Sequence, residues 1–192
     1  MIQRLVSKAG CVPEQTKALQ ALGTPLEELG IMKKQKGFSL IELLIVVAII
    51  LIIAAIAIPN FLRSKMAGNE ASAVSSLRSV NTAEVAYFAT YSNQGYSVDL
   101  PSLGGAAPCA VATTAAACLI DNVLANASVA PGKTGYKFTY VPGAGAGLVT
   151  TYSVSGLPVT PGSSGQRGFY TDQTGVLRYA ITGVATVASS PL

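Results

Sequence analysis

Histidine and tryptophan are both absent from the 192 residues. The first absence removes the commonest general base and the commonest zinc ligand. Charge is scarce too: Asp, Glu, Lys and Arg make up 11% of the chain, against about 25% in an ordinary globular protein. With 50% of the residues hydrophobic and a mean hydropathy of +0.47, intrinsic disorder is excluded. The length suits one domain of roughly 100–200 residues with a tail or anchor, and it excludes a large multidomain enzyme. A net charge of +4 invites a nucleic-acid reading, yet six of the thirteen basic residues precede position 38. From Phe38 onward seven basic residues stand against six acidic ones. No basic domain remains, and nothing points directly to nucleic acid.

What the chain does have is a long apolar run. Residues 40–58 are nineteen in succession with one charge, Glu42. As a helix they measure about 28 Å at 1.5 Å per residue, close to a bilayer core of about 30 Å. Lys33, Lys34 and Lys36 precede the run, and Arg63 and Lys65 follow it, so the positive-inside bias sets the N-terminus in the cytoplasm. A cleaved secretory signal is the competing reading, with Ala55-Ile56-Ala57 as its small-residue cleavage site. Against it, the run exceeds the usual apolar core of about 7–15 residues and carries a carboxylate near its start.

The junction Gly37-Phe38-Ser39-Leu40-Ile41-Glu42, behind a lysine-rich stretch, closely resembles the processing site of type IV prepilins and their pseudopilin relatives. The resemblance covers residues 33–63, including Pro59 and Phe61, and is much looser beyond. It implies a prepilin peptidase that cuts after Gly37 and methylates the new amino group of Phe38. Residues 1–37 are then a leader, and 155 of the 192 residues form the mature chain. Met32-Lys33-Lys34-Gln35-Lys36-Gly37 is already a complete short leader, so Met32 is the expected start. The segment upstream, with Cys11, carries no chemistry.

A carboxylate in a membrane helix costs about 2.5–3.5 kcal/mol at the bilayer centre and less near the edge, so Glu42 needs a partner. Cleavage makes one: stacked copies can set the α-amine of one subunit's Phe38 beside the next subunit's Glu42, the role that the resemblance implies for this glutamate. Pro59 removes a backbone donor, and a bend or local opening is expected over residues 55–59. Many family members have a glycine midway between the glutamate and the proline. Leu51 stands there in this chain, which implies a stiffer helix.

Beyond Pro59, Ala73, Leu77, Val80, Tyr87 and Tyr91 recur at helical spacing, flanked by Val74 and Phe88. The helix therefore continues to the turn-rich Ser92-Asn93-Gln94-Gly95, giving a segment 38–93 and a globular segment 94–192. Tyr87, Phe88, Tyr91 and Tyr96 read as a packing stripe in preference to an electron-carrying path. Residues 95–130 form an irregular connector with a short helix at 119–127. Cys109 and Cys118 lie in it, the two cysteines left once the leader is gone, in a compartment that permits oxidation, and a disulfide is expected. A zinc site or a nucleophilic cysteine would lack histidine. Strands are predicted at residues 136–141, 148–154, 168–171 and 176–180, rich in β-branched and aromatic residues. Asp172-Gln173-Thr174-Gly175 is the turn of the last hairpin. One aspartate is too few for a calcium cage, so no metal or cofactor is expected. Residues 182–192 carry no signal.

The expected fold is α+β and pilin-like: a long N-terminal helix, its first half in the membrane, packed on a small antiparallel sheet. The expected function is polymerisation, with the prepilin peptidase, the membrane, an inner-membrane assembly platform and further copies of the chain as partners. The precursor is expected to cross the inner membrane once, and the mature chain to leave it for an extracellular filament or a periplasmic pseudopilus. A secretion pseudopilin is the near alternative, and a monomeric membrane-anchored binding domain the distant one. An enzyme is not expected, since the six carboxylates of the mature chain form no recognisable pair.

Overall fold

The structure, a computed structural model, describes residues 37–105, 109, 111–143, 145 and 147–192. The expectations for the leader before Gly37 lie outside the described residues. The chain divides into two compact units, Met1–Val46 and Val47–Leu192. Helix α1 spans Leu40–Thr90, followed by the single turns α2 (Leu100–Leu103) and α3 (Asn122–Ala125). Strands β1 (Tyr136–Pro142), β2 (Tyr152–Pro158), β3 (Gly168–Asp172), β4 (Arg178–Ala180) and β5 (Ser190–Pro191) complete the order. The fold is α+β.

The five strands form an antiparallel sheet in the order β1-β2-β3-β4-β5, each paired with its neighbours in sequence. Alternation sets its inner face. In β2, Tyr152, Val154, Gly156 and Pro158 are buried, with half-buried residues between them, as a period of two requires. Tyr136 and Phe138 of β1 and Phe169 of β3 join them. Onto this face α1 turns Ala73, Leu77, Val80, Ala83 and Tyr87, a stripe at three- and four-residue spacing. Leu100, Leu103 and Leu124 from α2 and α3 close the core.

Both short helices start at a capping aspartate. Asp99 accepts from Ser102 N with Pro101 in the first turn, and Asp121 accepts from Leu124 N. The helix expected at 119–127 is thus a single turn, and α2 is additional. The strand expected at 148–154 lies further on, at β2. Its continuation through Gly156 has a physical reason: Phe138 is the cross-strand partner, and a Cβ on Gly156 would come within 3.1 Å of its ring. The glycine makes room for the aromatic ring. Pro158 is tolerated because β3 pairs only with Ser153 to Gly156, so the proline faces no donor-hungry neighbour on that side. Val149 instead bridges to Gly95 in parallel, through Tyr96 N to Val149 O at 2.8 Å and Val149 N to Gln94 O at 3.0 Å. Gly95, at φ 81°, supplies the left-handed residue that this tight approach demands.

The expected opening before Pro59 is absent, since α1 runs unbroken through the proline. One missing donor is a local loss that the surrounding helical bonds contain, and Asn60 Nδ2 adds a bond to Ile56 O at 3.1 Å. The tail, read as featureless, contributes β5 and the buried Ala185.

Candidate functional site

The N-terminal site is built from three non-helical residues and one helical turn. Gly37, Phe38 and Ser39 precede α1 and are exposed. Nothing lies within 4 Å of the position a Cβ on Gly37 would take. Ser39 O accepts from Leu43 N at 3.2 Å and opens the helix. Glu42 falls in the first turn, where free backbone N–H groups favour a negative charge. The spacing Ser39-x-x-Glu42 is also that of a capping box, a local signal that the sequence reading passed over. Two ion pairs occur among the described residues, Lys133–Asp121 and Arg167–Glu70, and neither involves Glu42.

The apolar run is exposed on every side. Phe38 is 70% exposed, Leu40 80% and Ile56 66%, and the helix is long and apolar enough to cross a membrane. Pro59 lies inside α1 within the exposed stretch.

Cys109 and Cys118 are joined by a disulfide with Cα atoms 6.1 Å apart, within the span such a bond allows. Cys118, at φ 60°, is held by its N–H on Gly104 O at 2.8 Å, and Leu119 N bonds Leu103 O at 2.8 Å. Gly105 leaves the space that the two sulfurs fill.

Two buried carboxylates escaped the sequence reading. Glu70 accepts from Gln166 N at 2.9 Å, Arg167 N at 3.2 Å and Arg167 Nε at 2.7 Å, tying the β2–β3 loop to α1. Burial pushes its pKa up, but these amides and the guanidinium outweigh burial and the net shift is downward. Glu84 is fully buried and accepts from Ser97 N at 3.0 Å and Ser97 Oγ at 2.6 Å. Here burial outweighs the donors and the pKa is raised. Both residues continue the apolar stripe of α1, at 70, 73, 77, 80, 84 and 87. A carboxylate at a core position was the available signal.

The expected aromatic stripe is a packed cluster. Tyr87 and Tyr91 have ring centres 4.8 Å apart, Phe88 and Tyr96 5.0 Å, and Tyr96 and Tyr152 4.8 Å. Phe88 remains 44% exposed at the cluster's edge. Asp172 keeps its carboxylate for the hairpin turn, accepting from Thr174 N at 3.0 Å.

With this geometry in view, the comparisons converge on the N-terminus. The family model described as the prokaryotic N-terminal methylation motif matches residues 32–58. Through this segment the chain is similar to type IV pilins. It is 47% identical over 55 residues to the type IV major pilin protein PilA of Myxococcus xanthus, covering 29% of this chain and 25% of that one. It is 56% identical over 39 residues to the type IV wide pilus major component PilA4 of Thermus thermophilus, covering 20% of this chain and 30% of that one. The chain thus spans about a quarter to three tenths of the length of these curated relatives. No solved structure matches.

Proposed function

We propose that the chain is a prepilin, cut and methylated at Gly37-Phe38, whose mature form polymerises through α1 into a type IV filament. The observation that carries this reading is the exposure of the apolar side chains all round the first half of α1. A helix apolar on one face packs on its own domain, whereas a helix apolar all round needs a bilayer or a bundle of like helices. A prepilin uses both in turn. Residues 1–37 are then leader, 38–93 the membrane and filament-core helix, and 94–192 the part displayed outside. Glu42 supports the same reading, because among the described residues it has no cation and a neighbouring subunit's Phe38 amine would supply one. The precursor would cross the inner membrane once with its N-terminus in the cytoplasm, and an assembly platform there would feed it to the filament.

Replacing Glu42 with Ala separates a polymer subunit from a mere anchor. Insertion and cleavage should be unaffected, since a polar group leaves the bilayer. Assembly should collapse, because each docking subunit would bury an uncompensated amine at about 3–5 kcal/mol, roughly two to four powers of ten in the assembly constant. The assay is cleavage and membrane fractionation of the variant, followed by electron microscopy and mass spectrometry of filaments sheared from cells. Normal filament numbers would refute the pairing, and a wild-type chain that is cleaved yet yields no filament would refute the polymer.

A further inference from the structure

The five carboxylates beyond the apolar run are all in use. Glu70 is held by Arg167, Glu84 by Ser97, Asp99 and Asp121 by helix starts, and Asp172 by its turn. Among the described residues Lys65 has no ion-pair partner, and it borders a pocket of about 320 Å³ formed with Asn69, Thr134, Gly135, Thr160, Ser163 and Ser164. No carboxylate lines this pocket.

Its walls are fixed by bonds that leave some donors over. Asn69 Nδ2 donates to Ser164 O at 2.8 Å, Thr134 Oγ1 to Ser72 Oγ at 2.9 Å, and Ser164 Oγ accepts from Thr160 N at 3.0 Å. The hydroxyls of Thr160 and Ser163 and the ammonium of Lys65 make no bond among the described residues. One ammonium with two hydroxyls and no competing acid is a receptor for a singly charged, oxygen-rich anion.

The position of Lys65 on α1 says where that anion comes from. It lies seven residues past Ile58, about 10 Å along the helix, and behind Phe61 and Leu62, the last exposed large apolar side chains before Val85. The headgroup layer on each side of the hydrocarbon core is about 5–8 Å deep, and a lysine reaches back toward it along its own stem. We infer that this pocket binds the phosphate of an anionic phospholipid while α1 is in the membrane, seating the globular unit on the headgroups until the subunit is withdrawn. The inference rests on the reading of residues 40–58 as a membrane span.

The test uses the full chain in nanodiscs of phosphatidylcholine carrying a minor fraction of phosphatidylglycerol, with native mass spectrometry counting the lipids retained. Wild type should keep phosphatidylglycerol in preference, and Lys65→Gln should keep about fivefold less, the effect of one cation at an anionic surface. Thr160→Val with Ser163→Ala should lose the preference while leaving Lys65 in place, and so covers the case in which Lys65→Gln perturbs folding. Lys137→Gln, which removes an exposed cation of β1, should behave as wild type. Equal retention by wild type and Lys65→Gln, or an equal loss in Lys137→Gln, would overturn the site. Inorganic phosphate bound by lipid-free protein in detergent, with the same dependence on Lys65, would make the ligand a free anion and overturn the lipid assignment. Alkaline extraction of wild type from membranes separates the levels. Release from the membrane would remove the span and this inference with it, whereas a chain that stays embedded without lipid preference refutes the pocket alone.

Discussion

Glu84 offers a prediction in which two substitutions of one residue pull in opposite directions. Its carboxylate is fully buried and accepts from Ser97 N at 3.0 Å and Ser97 Oγ at 2.6 Å, while Ser97 Oγ also lies 3.1 Å from Asp99 O. In Glu84→Ala the Ser97 hydroxyl can turn wholly to Asp99 O, but the Ser97 N–H is orphaned and a void opens. An orphaned buried donor costs about 1–3 kcal/mol, and with the void the loss should be about 2–4 kcal/mol. At about 2–4 °C per kcal/mol for a chain of this size, the melting temperature should fall by roughly 5–15 °C. Glu84→Gln can keep both contacts to Ser97: its Oε1 accepts from Ser97 N, and its Nε2 donates to a Ser97 hydroxyl whose own proton goes to Asp99 O. It also removes a charge that burial disfavours. At neutral pH this variant should match or exceed wild type.

The pH dependence follows from the same group. Burial raises the pKa of Glu84 above its ordinary 4.5, so the native state holds the proton more tightly than the unfolded chain. Its contribution is therefore full below about 4.5 and is lost as pH rises through the raised native value. Urea unfolding of the detergent-solubilised mature chain, followed by tyrosine fluorescence at a series of pH values, reads both effects. Wild type should lose stability above pH 4.5 by an increment that Glu84→Gln lacks. A glutamine variant as unstable as Glu84→Ala at neutral pH, or one that keeps the wild-type slope, would show that the ionised carboxylate stabilises the core and refute the reasoning.

Three further outcomes are expected. Gly37→Val should leave an uncleaved, membrane-bound precursor, read as a mass that retains the leader; cleavage at the normal rate would contradict the assigned junction. Unreduced mature protein should take up no alkylating label at Cys109 or Cys118, and replacing both with serine should cost a little under ~3 kcal/mol for so short a ring; two labelled thiols in purified protein would contradict this. Glu70→Ala should cost about 2–3 kcal/mol by releasing two loop amides and a guanidinium that is 42% exposed and can turn to water; an unchanged denaturation midpoint would remove Glu70 from the list of groups that tie the β2–β3 loop to α1.

The parts of the fold legible in the sequence are those carried by period and composition. The apolar run and the stripe Ala73-Leu77-Val80-Tyr87 read directly as helix, and Tyr136 to Val141 as strand. β2 was misplaced because its register depends on a pairing that no local window contains: Gly156 belongs in the strand only because the Phe138 ring covers it. α2 had both of its local signals, Asp99 as cap and Pro101 behind it, but four residues are too few for periodicity to show. The N-terminal methylation motif stood out because it is one contiguous stretch of sequence. The buried carboxylates did not, since Glu70 and Glu84 look like ordinary surface residues until Arg167 and Ser97, far along the chain or across a turn, arrive beside them.

These carboxylates also frame the chemistry of Glu42. Beyond the apolar run every acid ends on donors supplied by the same chain, at distances near 3 Å. Glu42, the sixth acid from Phe38 onward, has no cation among the described residues and stands in the longest apolar stretch of the chain. The first turn of α1 offers Glu42 only the partial charge of its free amides, worth about 0.3–1 kcal/mol at an exposed helix start. A carboxylate within a bilayer costs about 2.5–3.5 kcal/mol at the centre and less near the edge where Glu42 would sit, so the amides leave at most about 3 kcal/mol uncovered. The difference is a driving force for association with whatever brings a cation to that depth. A peptidase that cut after Gly37, as proposed, would expose an amine four residues away and create such a cation on every copy, and an intermolecular pairing of these charges would let loss of the leader, rather than synthesis of the chain, switch on assembly.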